Sequence, residues 1–228
     1  MAAKKTNMYN HSKKQWNPFV GCLYNCPYCK NSFQAQVKRW GKNNCQDCYN
    51  YIPHFHKERL EDKFPMTRGL EFISCCLSGD ITFAHPEWIE AIIERIKRCS
   101  NRTFLIQTKN PIVFENYDFP ENVLLAITLE TNRDLFISKA PSPPKRANIF
   151  AKLDFPSDRK IVTIEPIIQF DLLPFVAMIR KIHPQRVYVG YDTRKTGLMQ
   201  PRIIQTKALM KYLSIDSMVF EKYIPEVL

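Results

Sequence analysis

Residues 17–29 have the sequence NPFVGCLYNCPYC, which places Cys22, Cys26 and Cys29 within eight residues. The glycine, asparagine and proline residues of this stretch favour turns, so the sequence predicts a loop on which the three thiols converge. Thiolates are soft metal ligands, and three of them are one short of the four that close a structural zinc site or an ordinary iron-sulfur cluster. The motif therefore predicts a metal centre with one position open for chemistry.

Tyr28 stands just before the last cysteine. Cys-x3-Cys-x2-Cys with an aromatic residue at this position resembles the signature of the radical S-adenosylmethionine superfamily. The Asn-Pro-x-x-Gly-Cys opening suggests the branch that includes the spore photoproduct lyase, its relatives, and phage and prokaryotic proteins with the same opening. A zinc knuckle and three reduced thiols that are neighbours by chance are the alternatives that the motif leaves open.

The resemblance implies a set of cofactors and a reaction. Three cysteines would hold three irons of a [4Fe-4S] cluster, and the fourth iron would bind the amino and carboxylate groups of S-adenosylmethionine. An electron from an external donor would then allow cleavage of S-adenosylmethionine to methionine and a 5′-deoxyadenosyl radical. The fold implied by the resemblance is a partial barrel of parallel strands.

The resemblance also implies cofactor-binding residues. The Ser-Gly-Asp triplet after the second predicted strand takes the place of the usual Gly-Gly-Glu that grips the amino group of S-adenosylmethionine. A lysine after the third strand resembles the lyase's lysine that contacts the cofactor, and it would bind the carboxylate or the ribose of S-adenosylmethionine. A threonine or a glutamate at the end of the fourth strand could bind the ribose hydroxyls. The expected cofactor-binding residues are Tyr28, Ser78, Gly79, Asp80, Lys109, Thr128 and Glu130.

Six short apolar runs, most of them followed by a helical pattern, predict parallel βα units with right-handed crossovers. We expect these strands at residues 16–20, 70–77, 103–107, 123–129, 160–164 and 186–189, with a further edge strand at 218–224. Six strands are too few for a closed (β/α)8 barrel of roughly 250 residues. The sequence therefore predicts the α/β class, with an open partial (β/α)6 barrel.

The strand ends of such a sheet share one rim, and a residue that could bind or react stands at each of the six predicted ends. These residues are Cys22, Ser78, Asp80, Thr108, Lys109, Glu130, Glu165 and Asp192. A packed core alone would not require them there, so we expect them to meet at one site. Glu165 has a plainer interpretation, the capping of a turn before Pro166, and Lys109 has one as a surface charge.

An insertion at about residues 41–64 follows the first predicted helix and carries Cys45, Cys48, His54 and His56. These residues could form a tetrahedral Cys2His2 zinc site, or the thiolates could serve a second cluster. Only one residue separates the histidines, so both could bind one metal only from an irregular or extended segment. A reduced thiol pair and hydrogen-bonded loop histidines are the alternative.

Composition predicts a single cytoplasmic domain, residues 15–228, preceded by a basic N-terminal arm, residues 1–14. The chain has 228 residues, enough for one buried core, and contains no run of 18 apolar residues that could span a membrane. No apolar segment follows the basic start, so we expect no secretory signal. Eight cysteines in such a chain favour metal binding or catalysis in a reducing compartment over disulfide bonds.

The formal net charge of +11 favours an anionic partner, and nucleic acid is the commonest one. Lysines and arginines interleaved with aromatic residues suit a phosphate-bearing polymer or a nucleotide. The basic residues expected near the site are Arg39, Lys42, Lys57, Arg59, Lys109, Arg194 and Lys195. Nucleic-acid repair or modification is therefore the predicted use of the radical.

Two other functions stay open at this stage. The first is a non-catalytic zinc or iron-sulfur module that binds nucleic acid, which the same cysteines and basic charge would also fit. The second is an enzyme that acts on a peptide or activates a partner enzyme through a glycyl radical, for which the sequence offers no specific feature.

Overall fold

The computed structural model describes residues 9–194 and 196–225. The strands in these ranges are β1 Ser12–Trp16, β2 Phe19–Val20, β3 His54–Phe55, β4 Phe72–Cys75, β5 Phe104–Thr108, β6 Val123–Thr128, β7 Lys160–Ile164, β8 Arg186–Val189 and β9 Met218–Glu221. The α-helices are α1 Pro27–Lys30, α2 Phe33–Asn44, α3 Gln46–Asn50, α4 Pro86–Lys97, α5 Pro143–Lys152, α6 Leu172–Arg180 and α7 Ile203–Leu213. Short 3-10 turns at Lys57–Glu61, Ile81–Phe83, Pro111–Asn116 and Ser157–Arg159 complete the order.

Seven strands form one parallel sheet in the order β1-β4-β5-β6-β7-β8-β9. β4 to β8 are almost entirely buried, as parallel strands covered on both faces must be. The order has two ends, so the sheet is open. The predicted fold class, an open α/β arrangement of parallel strands with a Cys/His-containing insertion after the first helix, is confirmed.

The first strand lies earlier than predicted. β1 ends at the fully buried Trp16, and β2 belongs to a separate two-stranded sheet in which it runs antiparallel to β3. Pro18 separates β1 from β2, because proline cannot donate a hydrogen bond to a sheet. The prediction of one strand at residues 16–20 is therefore wrong. The sheet has seven strands rather than six because the tail forms β9.

The predicted N-terminal arm is only partly described. Residues 1–8, which include Lys4 and Lys5, lie outside the described residues. Residues 12–14 belong to β1 and pair with β4, so this part of the predicted arm is a strand.

The chain divides into two compact units, and the first, which we call the cysteine unit, comprises His11–Leu125 and Ile137–Ala140. Its core contains Trp16, whose ring makes edge contacts with Phe64 and Phe104 at centroid distances of 5.0 and 5.8 Å. Helix α4 buries four isoleucines at helical spacing, as its sequence predicts. Because β1, β4 and β5 lie side by side, the segments that follow them are held at one end of the sheet.

The second unit comprises Met1–Asn10, Ala126–Phe136 and Pro141–Leu228. In its described part, the hydroxyl of Tyr9 lies 2.5 Å from Thr163 Oγ1, and its ring packs edge-on against Tyr188. The ammonium of Lys222 sits 4.1 Å from the centre of the Tyr9 ring and forms an ion pair with Glu165. These contacts join β7, β8 and β9 around one buried tyrosine.

Asp171 occupies the N-cap position of helix α6, but its side chain makes no hydrogen bond to cap the helix. Its carboxylate instead accepts hydrogen bonds from the Nε and Nη2 atoms of Arg133, at 3.0 and 2.6 Å. This pair lowers the pKa of Asp171. Because the carboxylate oxygens are bound to Arg133, they do not accept hydrogen bonds from the first amides of α6. The Asp171 side chain therefore joins α6 to the segment that contains Arg133 rather than capping the helix.

None of the helices in the two described ranges combines the length and the hydropathy needed to cross a bilayer.

A buried ion pair in the second unit joins Arg146 of α5 to Glu130, which follows β6. Arg146 Nη2 lies 2.8 Å from Glu130 Oε2, and both side chains are 3% exposed. The same guanidinium donates to the carbonyl oxygens of Thr128 and Pro141. One cation therefore fixes the segment after β6 against the start of α5.

Replacing Arg146 with leucine is expected to lower the free energy of unfolding by about 3–5 kcal/mol, because Glu130 would keep a buried charge without a partner. Urea denaturation measures this loss. The control is Arg133→Leu, which breaks the exposed pair with Asp171 and should cost about 0–1 kcal/mol. Equal losses in the two variants would contradict the assignment of the buried pair as a stabilising tie.

Candidate metal centre and cofactor site

The loop that carries Cys22, Cys26 and Cys29 is shaped by a close backbone approach. Gly21 has a φ of +100°, and a Cβ placed there would lie 2.5 Å from the backbone of Ile52. Only glycine fits this position. The following turns bring Cys26 into the interior and leave Cys22 and Cys29 half-buried, and Cys26 immediately precedes α1.

The backbone of the Ser78-Gly79-Asp80 segment forms hydrogen bonds with the start of this loop. Gly21 N donates to Ser78 O and Asp80 N donates to Gly21 O, both at 3.2 Å, so Gly21 and Gly79 pair as in a parallel sheet. A Cβ on Gly79 would lie 2.6 Å from Gly21 O. Asn17 Oδ1 accepts a hydrogen bond from Ser78 N at 2.9 Å. The triplet after β4 and the start of the cysteine motif are therefore one structural piece.

Asp80 is buried and its carboxylate connects the ends of β4 and β5. Oδ1 accepts from Thr108 Oγ1 at 2.6 Å and from Thr82 N at 3.2 Å, and Oδ2 accepts from Lys109 N at 2.8 Å. Buried carboxylates require such donors, and here they come from the next strand end. Asp80 consequently fixes the position from which the Lys109 side chain starts.

Lys109 provides positive charge beside the cysteine loop. Its Nζ lies 5.5 Å from the centre of the Tyr28 ring, within the range of a cation–π contact. Burial raises the pKa values of the Cys22 and Cys29 thiols, and the Lys109 charge opposes that rise. The structure therefore brings four of the predicted site elements together: the cysteine loop, Tyr28, the Ser78–Asp80 segment and Lys109.

Burial nevertheless dominates the titration of the thiols. It raises the pKa of Cys22, with a further rise from the Asp80 carboxylate, and the opposing effect of Lys109 is smaller. Burial also raises the pKa of Cys29. Without a metal these thiols hold their protons at neutral pH, whereas a metal cation would displace them and stabilise the thiolates.

Tyr51 is a neighbour of the loop that the sequence pattern does not single out. Its hydroxyl lies 3.8 Å from Cys29 Sγ, and its ring packs with Val20, Val37 and Cys48. It has a φ of 60° at the end of α3, a conformation that turns the insertion back toward the loop. Nothing in its local sequence signals this contact, which depends on how the insertion folds.

Thr128 and Glu130 belong to the second unit. Thr128 is buried with its carbonyl bound by Arg146, and Glu130 forms the buried ion pair described above. Sequence inspection missed Arg146, because an arginine in a helix of mixed polarity gives no signal of burial.

Two further predicted strand-end residues also lie in the second unit, and each has protein partners there. Glu165 pairs with Lys222. Asp192 accepts hydrogen bonds from the amides of Arg194 and Thr196, both at 2.7 Å, and so closes a local turn.

The insertion brings Cys45, Cys48, His54 and His56 together. One ligand atom from each lies within 4.8 Å of the others, and in the part of the chain that the structure describes this is the one group of its kind placed to hold a metal ion. Cys22, Cys26 and Cys29 do not form such a single-ion group. The two cysteine-containing sites therefore differ in geometry.

The basic residues around the cysteine unit fall into two classes. Arg39, Lys42 and Lys57 are exposed, and the same unit exposes the large rings of Trp40 and Tyr49. Arg59 makes contacts within the protein, because it donates a hydrogen bond to Asn17 O at 2.7 Å and its guanidinium lies over the Trp40 ring. Arg194 is exposed in the second unit, and Lys195 lies outside the described residues.

Comparison with known proteins finds similarity at the level of structure. No family model matches the chain, and no curated protein matches it. A double mutant of spore photoproduct lyase, with bound AdoMet and dinucleoside spore photoproduct, is similar with a TM-score of 0.49 and 14% sequence identity. The similarity covers 92% of this chain and 65% of the lyase chain, so this chain spans less than two thirds of the lyase's length.

Replacing Gly79 with alanine is expected to separate the cysteine loop from the end of β4, because the added Cβ would overlap Gly21 O. The cost in unfolding free energy should be about 1–3 kcal/mol. Hydrogen exchange should show lost protection at the amides of Gly21 and Asp80, which bridge the two segments.

Gly69→Ala is the control for this substitution. Nothing lies within 4 Å of a Cβ at that position, so only its positive φ of 55° is strained. Unchanged protection at Gly21 and Asp80 in Gly79→Ala would show that the two segments are not held by this pairing.

Proposed function

We propose that this protein is a radical S-adenosylmethionine enzyme in which Cys22, Cys26 and Cys29 hold a [4Fe-4S] cluster. The observation that carries the proposal is the placement of three thiols on one eight-residue loop, fixed by backbone pairing at a strand end and accompanied by Lys109. A cluster with three protein ligands retains one iron for the amino and carboxylate groups of S-adenosylmethionine.

The chemistry of the donor set fits this group. Three soft thiolates suit iron-sulfur ligation, and within the described residues no histidine or carboxylate joins them in a single-ion group. The sulfurs of a cubane's ligands are bonded to different irons, so they stand farther apart than the ligands of one ion. Three cysteines with no fourth protein ligand among the described residues therefore suit a cluster with one open iron better than a closed structural zinc site.

When bound and reduced, the cluster with S-adenosylmethionine supplies a 5′-deoxyadenosyl radical, and the hard chemistry belongs to these cofactors. The chain's own residues bind and orient. Lys109 offers a cation for the carboxylate or ribose, and Tyr28 offers a ring beside it. Ser78 offers a hydroxyl that makes no hydrogen bond among residues 9–194 and 196–225.

Asp80 and Gly79 are assigned a positioning role within the same proposal. The Asp80 carboxylate already accepts three hydrogen bonds, and Gly79 lies against Gly21. They act on the cofactor by fixing Lys109 and the cysteine loop. Thr128 and Glu130 are retained as proposed partners of the ribose hydroxyls, with Arg146 holding the glutamate.

Replacing Cys22, Cys26 or Cys29 with alanine is expected to abolish the brown colour of anaerobically reconstituted protein, because two thiolates cannot hold the cubane. Formation of 5′-deoxyadenosine with a chemical reductant should fall to the background of protein-free samples. Iron and sulfide quantification, coupled to chromatography of the nucleoside, makes both measurements.

Cys99→Ala is the matched control, since Cys99 lies after α4 and contacts Arg95 rather than the loop. It should keep the colour and the cleavage. If a variant lacking any one of the three loop cysteines still cleaves S-adenosylmethionine, the proposal fails.

The finer part of the proposal is that the radical serves the repair or modification of nucleic acid. The net charge of +11 and the exposed cations and rings of the cysteine unit support a polyanionic substrate. Stacking on the exposed Tyr49 ring would suit unpaired bases, and the exposed Arg39, Lys42 and Lys57 would suit the phosphates.

A triple variant, Arg39→Gln with Lys42→Gln and Lys57→Gln, is expected to weaken oligonucleotide binding. Loss of three phosphate contacts should reduce the slope of log K against log salt by about 2–3. The control carries the same loss of charge at exposed residues of the second unit, as Lys152→Gln with Lys207→Gln and Lys211→Gln. Equal slopes for the two variants, or indifference of the wild type to polynucleotides, would refute this assignment.

The Cys2His2 group favours a second candidate function, a non-catalytic metal module that binds nucleic acid. Metal analysis separates the two candidates. Iron and sulfide together with absorbance near 400 nm after anaerobic purification support the enzyme, and zinc without them supports the module.

A further inference from the structure

The four side chains of the Cys2His2 group have the spacing of a tetrahedral ion site. His54 Nε2 lies 3.5 Å from Cys45 Sγ and 3.3 Å from Cys48 Sγ, and His56 Nε2 lies 3.2 Å from Cys48 Sγ. Zinc bonds of about 2.0–2.1 Å to nitrogen and about 2.3 Å to sulfur place such ligand atoms about 3.3–3.8 Å apart. The observed distances are close to those of a single coordination sphere.

The tautomers of both histidines are also those of metal ligands. His54 Nδ1 donates to Ile52 O at 2.7 Å, and His56 Nδ1 donates to Glu58 Oε1 at 2.9 Å. In their neutral forms both rings therefore present bare Nε2 atoms, and these face each other at 2.9 Å. Two lone pairs at this distance repel unless a cation or a proton lies between them. Histidine ligands characteristically donate their second nitrogen to a carbonyl or carboxylate in this way.

The local fold explains how the ligands converge. Cys45 and Cys48 stand three residues apart at the start of α3, so they share one side of that turn. β3 is extended through His54 and Phe55, and residues two apart in extended backbone point to the same side. The extended segment that two histidines separated by one residue require is therefore present. Cys48 and His56 are buried, which keeps water from competing for the ion.

We propose that Cys45, Cys48, His54 and His56 hold one zinc ion in a closed site, and that this ion positions the cysteine loop of the cofactor site. Two nitrogen and two sulfur ligands suit zinc, and ligand atoms this close together leave no room for a second cluster.

The insertion is bound to the loop at several points. Val20 pairs with His54 and Phe19 pairs with Phe55 in the β2–β3 sheet. His56 N donates to Pro18 O at 2.6 Å. Two metal ligands thus sit in the segment that forms the backbone partner of the residues just before Cys22.

Two side-chain and backbone contacts extend this connection to the motif itself. Ile52, between the two ligand pairs, is the residue against which Gly21 packs, and Tyr51 reaches Cys29. An ion bound by the cysteines of α3 and the histidines at β3 would therefore restrain the segment between them, which contains Tyr51 and Ile52. Without the ion, this segment would keep the β2–β3 pairing and the packing of Tyr51 but would lose the link between α3 and His54 and His56.

Zinc content of protein purified without added iron tests the first part. The wild type should retain one zinc per chain after removal of free metal, and Co2+ should replace it with the visible spectrum of a tetrahedral thiolate site. Cys48→Ala and His56→Asn should lose both signals. Cys99→Ala and His183→Asn, at residues outside the group, should keep them. Zinc-free wild type, or undiminished zinc in Cys48→Ala, would overturn the proposal.

Glu58→Ala provides a test that does not depend on a buried substitution. The Glu58 side chain is 71% exposed, and its carboxylate accepts the Nδ1 proton of His56. Chelator competition should show a fall in zinc affinity of about 10–100-fold. Glu61→Ala, on the same 3-10 turn, should leave the affinity unchanged. Equal affinities for the two variants would contradict the assignment of His56 as a ligand.

Hydrogen exchange of chelator-treated wild type tests the positioning role. Removing zinc should increase exchange at the amides of His56 and Gly21, and returning zinc should restore protection. No change at either amide would overturn this role. The cluster proposal stays separable, because a variant with Cys22, Cys26 and Cys29 all replaced by alanine should still bind zinc.

Discussion

The contact between Gly21 and Gly79 is the constraint on which the candidate site depends. Both residues lack a side chain, so two backbone segments approach closely enough to pair outside any named strand. One segment leads directly into Cys22 and the other ends β4. The position of the cysteine loop is thus tied to the end of a buried parallel strand.

A buried carboxylate and a lysine lie close to this contact and are linked to each other by a hydrogen bond. Asp80 is buried and uses its carboxylate to hold Thr108 and the amide of Lys109, so a negative charge and a positive charge flank the cysteine loop. Burial raises the pKa values of Cys22 and Cys29. Such thiols are poor free nucleophiles, and their environment favours metal ligation as the route to the thiolate form.

The insertion supplies a second support for the same loop. The insertion contacts the loop through the β2–β3 pairing, Ile52 and Tyr51, whereas the end of β4 contacts it through Gly79. A short insertion with little apolar core of its own gains order from a metal ion more readily than from packing. The proposed zinc ion would then order the insertion, and the insertion would in turn hold the cysteine loop that binds the proposed cluster.

Much of the fold was predictable from the sequence. Apolar runs located β4 to β8 within a few residues, because strands buried on both faces need nearly continuous apolar sequence. The break at Pro18 was misjudged, since Phe19 and Val20 continue the apolar run although they pair with a different partner. The edge strand β9 was anticipated, although its residues are mostly exposed.

By itself the sequence determined the types and local spacing of the candidate ligands: three thiols in the motif, two thiols and two histidines in the insertion. Only the tertiary structure decided which other groups meet them. It placed Gly79 against Gly21, turned Tyr51 toward Cys29, satisfied Asp80 with the end of β5, and buried Arg146 beside Glu130. Those contacts join residues far apart in the chain, and local patterns carry no information about pairings that arise only when strands and loops pack together.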